Sequence, residues 1–247
     1  ARLLRVTSYD VDLDLTDGAG APGAGTFRST STIRFACTEP GAASYLDLTA
    51  PTVHEVRLNG AALDVPAVFD GNRIALAGLA ADNELVVVAD GAYMRTGEGL
   101  HRFVDPVDDS VYLYTQFETF DAHRMFACFD QPDLKATFRM TVQAPRGWVV
   151  VSNGAVASRP PEGEAGTWVF TETPRMSTYI TALVAMMEFA VIFSIALARF
   201  SMGREQGGFR MFDLFLDTLR GRGILLLSGG MVIGALATEP QWRQIAP

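Results

Sequence analysis

Asp10-Val11-Asp12-Leu13-Asp14-Leu15 sets three carboxylates against three aliphatic side chains in strict alternation. A β-strand turns successive side chains to opposite faces. The stretch therefore reads as a half-buried strand with Val11, Leu13 and Leu15 inward. The same period extends along the chain. Phe27 to Phe35 alternates again and is rich in Thr and Ser. Val53 to Leu58 runs into Asn59-Gly60, two residues that accept the positive φ of a tight hairpin turn. Asp70-Gly71 repeats that logic between Val68-Phe69 and Ile74–Leu76. Further strands are predicted over 84–89, 111–117, 137–143, 148–152, 167–171 and 178–184, whereas 91–109, with its glycines, reads as a long loop. Many short strands separated by turn residues predict a mainly β fold, a saddle-like β-sandwich.

Charge divides the 247 residues into two unequal parts. Residues 1–184 carry 14 Lys and Arg against 23 Asp and Glu, a net −9, whereas 185–247 carry 6 against 5. The acidic first part excludes a nucleic-acid partner, which needs cations to neutralise phosphates. It suits a soluble protein that attracts cationic ligands. Cys37 and Cys128 stand far apart with no CxxC spacing, which predicts buried, reduced thiols. The opening Ala-Arg-Leu-Leu-Arg-Val has no long apolar stretch, so nothing there directs export.

After Val184 the character changes. Residues 180–198 form a nearly unbroken apolar run containing Glu188, and 223–237 form a second. A spanning helix needs about 20 apolar residues, which the first run satisfies and the second approaches. Gly230 and Gly234 make a GxxxG step, and 211–219 reads as an amphipathic helix. Two domains are therefore expected, a β domain over 1–184 and an α-helical, membrane-like tail over 185–247. Membrane contact is expected through 180–198 and 223–237.

Three histidines raise the question of zinc. His54-Glu55 opens like HExxH, but Leu58 stands where the second His belongs, and the surroundings read as a strand. His101 and His123 have no partner at ligand spacing and read as surface or satisfied loop histidines. No metal site is expected in this chain. No GxSxG elbow occurs, and neither cysteine has a histidine partner in sequence.

Gln116 and Glu118 lie two apart at the end of a predicted strand, so both project from one face. An amide carbonyl beside a carboxylate is suited to holding an ammonium group through charge-assisted hydrogen bonds. On chemistry alone the two residues read first as the solvated end of a strand.

The surrounding residues carry a resemblance. Gln116, Glu118, Ala122, Phe126, Cys128, Asp130, Pro132, Lys135, Ala136 and Phe138 stand in register with the aminopeptidase N family of zinc metallopeptidases. That family has Gln-x-Glu, then Ala-Arg, Phe-Pro-Cys-x-Asp-Glu-Pro and Lys-Ala-x-Phe. His123, Ala127 and Gln131 depart from it. Arg95–Phe103 and Trp148–Gly154 also resemble the family, and the likeness covers about residues 1–184. It implies an amino-terminal β saddle closing one side of a cleft, with Gln116 and Glu118 binding the free α-amino group of a peptide. It also implies that zinc and its base belong to a following catalytic domain, whose HExxH and Gly-Ala-Met-Glu-Asn motifs do not occur here. The expected partners are thus a peptide amino terminus and the missing catalytic domain. The chain alone is expected to be inactive, and cytoplasmic by resemblance.

Residues 186–247 resemble an internal piece of the sodium-dependent bicarbonate permease family, through Met187-Glu188 and Leu226-Leu227-Ser228-Gly229-Gly230-Met231-Val232-Ile233-Gly234. Arg199, Arg204, Arg210, Arg220 and Arg222 between the apolar runs would stay cytoplasmic, which places the first domain outside and points to a chimeric or truncated product. Three readings follow: a peptidase fragment, a membrane-tethered β binding module, and a fragment of an anion permease.

Overall fold

The computed structural model describes residues 3–106 and 109–187. The chain divides into two compact units, Ala1–Val191 and Ile192–Pro247, and all described residues lie in the first. The expected helical tail, with the apolar stretches 188–198 and 223–237, lies outside the described residues.

Within the first unit the chain is mainly β. The strands are, in order, β1 (Leu4–Asp14), β2 (Thr26–Cys37), β3 (Ser44–Asp47), β4 (Thr52–Leu58), β5 (Ala61–Ala62), β6 (Arg73–Leu76) and β7 (Asp82–Ala92). They continue with β8 (Gly99–Val104), β9 (Val111–Gln116), β10 (Thr137–Ala144), β11 (Trp148–Ser152), β12 (Val156–Ser158), β13 (Gly166–Phe170) and β14 (Leu183–Met187). One helix of four residues, α1 (Val65–Val68), and 3-10 turns at Ala122–Arg124 and Thr178–Ile180 complete the unit. None of the described helices is long and apolar enough to cross a membrane.

An eight-stranded sheet runs β12-β13-β10-β1-β2-β7-β4-β5, with β1 and β10 parallel and the other pairs antiparallel. A four-stranded antiparallel sheet runs β11-β14-β9-β8, and β3 pairs with β6. The alternation in β1 decides which face is buried. Val11, Leu13 and Leu15 are enclosed, while Asp10 faces the other side and pairs with Arg34 at 2.6 Å. Thr7 is an extra residue in the pairing with β2, where the register shifts between Val6 and Ser8. That bulge resets the period so that Tyr9, not Ser8, enters the core.

Tyr9 stacks on Phe138 of the parallel neighbour, with ring centroids 4.8 Å apart and planes 9° from parallel. Phe126 meets both edge-on, at 6.1 Å and 6.2 Å. Through these rings, and through the Phe129 N–H donated to the Tyr9 hydroxyl at 3.1 Å, the segment after β9 is packed onto the inner face of the large sheet. Burying aromatic rings of this size stabilises the fold by roughly 2–3 kcal/mol each. Cys37 and Cys128 are both buried and free.

Several elements differ from expectation. The loop predicted over 91–109 contains the last residues of β7 and the whole of β8, whose Leu100 is fully enclosed. Its glycines mark the entry to a strand, because Gly97 and Gly99 both take positive φ. The strand predicted over 178–184 begins as a 3-10 turn. There the Ser177 hydroxyl donates to the Pro132 carbonyl at 2.6 Å and the Thr178 hydroxyl to Asp130 at 2.6 Å, drawing the backbone out of extension. The start of the predicted membrane run, 180–187, is also corrected. Leu183–Met187 is a strand between β11 and β9, with Leu183 and Ala185 buried, so this part of the run serves a protein core. β14 thus runs across residue 184.

Candidate amine-binding site

β9 ends at Gln116, which pairs with Gly99 of β8. Beyond it, Phe117 is 1% exposed and meets Phe126 edge-on at 6.3 Å. The buried ring fixes the orientation of its neighbours. Gln116 is half-buried, and Glu118 is exposed. The Glu118 N–H points to the Gln116 side-chain oxygen at 3.4 Å. The Gln116 side chain thus meets the Glu118 backbone at the strand end, and neither residue is enclosed in the core.

A short turn carries Glu118. The Asp121 N–H donates to the Phe117 carbonyl at 3.2 Å, and Glu118, Thr119 and Phe120 form its exposed tip. Arg124 closes the turn by donating to the Asp121 carboxylate at 2.7 Å. Gly99 makes room for this arrangement. A Cβ there would lie 2.9 Å from Met94 and 3.1 Å from the Cβ of Arg124, and its φ of +67° already favours glycine.

The charges near the site are sorted by these contacts. Arg124 is paired with Asp121, and among the described residues no cation forms an ion pair with Glu118. Glu98, just before β8, accepts the Thr96 hydroxyl at 2.7 Å. That hydrogen bond, then its own backbone N–H and the charges of Arg124 and His101, holds its carboxyl below the usual range. Burial pushes the His101 imidazole below its ordinary value, partly countered by Glu98. An exposed carboxylate without an internal counter-ion can accept hydrogen bonds from a cationic amine.

The three histidines do not gather. On β4, His54 bonds to Asp90 at 2.7 Å, which places His54-Glu55 on a strand as expected. His101 lies on β8 with its ring 4.8 Å from that of Tyr114. His123 is buried and bonds through Nδ1 to Asp130 at 2.9 Å. His123 is thus the satisfied loop histidine rather than a surface one: Asp130, seven residues on, folds back against it. Among the described residues no group of His, Cys, Asp and Glu could hold a metal ion, so the donors present do not fit a zinc site. An open groove of about 440 Å³, lined by Thr7, Arg34, Phe35, Asn59, Asp82, Asn83 and Glu84, contains neither Gln116 nor Glu118.

Residues 6–180 match the Peptidase M1 N-terminal domain, and the chain belongs to that family. It is 60% identical over 185 residues to aminopeptidase N of Streptomyces lividans, covering 74% of this chain and 21% of that protein. It is 43% identical over 105 residues to aminopeptidase N of Acetobacter pasteurianus (41% of this chain, 30% of that one). Aminopeptidase M1-D of Oryza sativa subsp. japonica is 34% identical over 171 residues, covering 60% and 20%. The chain thus spans between a fifth and a third of the length of these curated relatives. Residues 163–247 match the Na+-dependent bicarbonate transporter superfamily, in agreement with the resemblance read from the tail.

Proposed function

We propose that this chain supplies amine recognition to an M1 aminopeptidase, with Gln116 and Glu118 holding the free α-amino group of a peptide substrate. The observation that carries the reading is the exposed Glu118, whose carboxylate has no cationic partner among the described residues and whose backbone N–H meets the Gln116 side chain. An ammonium group would supply the missing counter-ion. A charge-assisted hydrogen bond to it is worth about 1.5–3 kcal/mol.

The hydrolytic step belongs, in this reading, to the part of the relatives that the chain does not span. There zinc, which no donor set among the described residues fits, would supply Lewis-acid chemistry. The peptidase-like part is 1–184, and its partner in this reading is a catalytic domain of the kind the rest of the relatives' length would supply. Nucleic acid is not a partner of so acidic a unit. The test is direct. The purified 247-residue chain should not cleave leucine p-nitroanilide with or without added zinc, and cleavage abolished by a chelator would overturn the assignment.

A second reading concerns the tail alone. The transporter-like match of 163–247 favours membrane contact beyond Met187. Retention of the whole chain in the membrane fraction, against release of a chain ending at Met187, would support it. Equal release of both would remove it.

A further inference from the structure

Behind the exposed tip of the Glu118 turn stands a buried polar cluster that amine recognition does not use. The Asp130 side chain is fully enclosed. Its Oδ2 accepts His123 Nδ1 at 2.9 Å and the His123 backbone N–H at 3.2 Å, and its Oδ1 accepts the Thr178 hydroxyl at 2.6 Å. The Asp130 N–H is donated in turn to Asp47 at 3.3 Å, and the His123 carbonyl accepts the Thr49 N–H at 3.0 Å. His123 is thereby tied at its ring, its N–H and its carbonyl.

The other side of the His123 ring faces the exposed turn. Phe120 is 48% exposed, yet its ring lies 4.6 Å from that of His123, tilted by 42°. Glu118 therefore has two supports: Phe117 behind it in the core, and Phe120 resting on a fixed imidazole. Phe117 alone anchors one end of a three-residue tip. His123 anchors the other.

We propose that His123 is a positioning residue for Glu118, held by Asp130 and acting through Phe120; this rests on the reading of Glu118 as the amine ligand. Misplacing a charged acceptor by about 1 Å weakens the contact it makes. Both features are needed, because the bond from Nδ1 to Asp130 fixes the ring and the ring carries Phe120.

Two substitutions separate these features. His123→Asn keeps an N–H near the Nδ1 position and loses the ring. His123→Phe keeps the ring against Phe120 and loses the donor. Binding of leucinamide to the 247-residue chain is followed by titration, with acetyl-leucinamide as the control. Amide hydrogen exchange over 117–124 is measured on the same samples. For His123→Asn, which removes the ring that Phe120 rests on, a loss of about tenfold in affinity is expected. For His123→Phe, a loss of about tenfold is expected, with faster exchange at 117–121. His123→Gln, whose N–H is displaced from Nδ1, replaces His123→Phe if that variant does not fold. A folded donor-less variant that melts earlier but binds and exchanges like the parent would show a purely structural histidine and overturn the proposal. If the parent itself fails to bind leucinamide, the amine reading falls, and the exchange comparison alone then decides whether His123 fixes the turn.

Discussion

Thr171 presents its backbone carbonyl oxygen so close to Gly154 that a Cβ on the glycine would collide with it. Backbone cannot swing aside as a flexible side chain does. Gly154→Ala should therefore destabilise the domain by about 1–3 kcal/mol in urea unfolding. Gly25 has nothing within 4 Å of the same virtual atom. Gly25→Ala should be neutral or slightly stabilising, and equal effects at both positions would contradict the packing described around β12 and β13.

Tyr9 joins the large sheet to the segment carrying the site. Its hydroxyl accepts the buried Phe129 N–H at 3.1 Å, and burial pushes its pKa well above the ordinary value. Tyr9→Phe leaves that N–H without an acceptor and should lower stability by about 1–3 kcal/mol in chemical denaturation. Tyr45 is surface-exposed at 39%, and Tyr45→Phe should shift stability by no more than about 0.5 kcal/mol.

Asp90 shows how the exposed sheet face responds to acid. Burial alone would raise its carboxyl, but hydrogen bonds from Arg28 and His54 outweigh that and leave it below 3.8. A carboxyl lowered on folding stabilises the folded state above its unfolded value, and the contribution disappears as pH falls through the folded value. Asp90→Asn should therefore cost about 0.5–1 kcal/mol at pH 7. The gap to the parent should close as pH drops below 3.8. A gap that widened in acid would contradict the assigned partners.

His101 predicts a similar trend at higher pH. Its imidazole is lowered on folding by burial, so the folded state disfavours the proton and stability falls as pH drops below 6.5. His101→Gln should flatten the stability profile between about pH 7 and 5. A profile unchanged by the substitution would place the titrating group elsewhere.

Much of this fold can be read directly from residue order. β1, β2 and β7 alternate because one face is buried and the other wet, and the Asn59-Gly60 turn has positive φ at both residues, 52° and 82°. Short strands escaped notice for a physical reason. β3 has four residues, too few to show a period, and its partner β6, which the Asp70-Gly71 turn does mark, lies some thirty residues away. The bulge at Thr7 and the turn at Thr178 depend on contacts that no local pattern encodes. At the site, the spacing of Gln116 and Glu118 around Phe117 was legible because strands alternate. The His123–Asp130 bond was not, because a separation of seven in a loop follows neither strand nor helix periodicity.

The central claim is best tested in an enzyme made complete. Residues 1–187 of this chain are joined to the part of Streptomyces lividans aminopeptidase N that follows its matched region, and leucine p-nitroanilide hydrolysis is measured. Glu118→Ala should raise KM about 10- to 100-fold, the loss of one charge-assisted contact to the amine. A KM equal to that of the parent enzyme, with the variant folded and turning over, would contradict it.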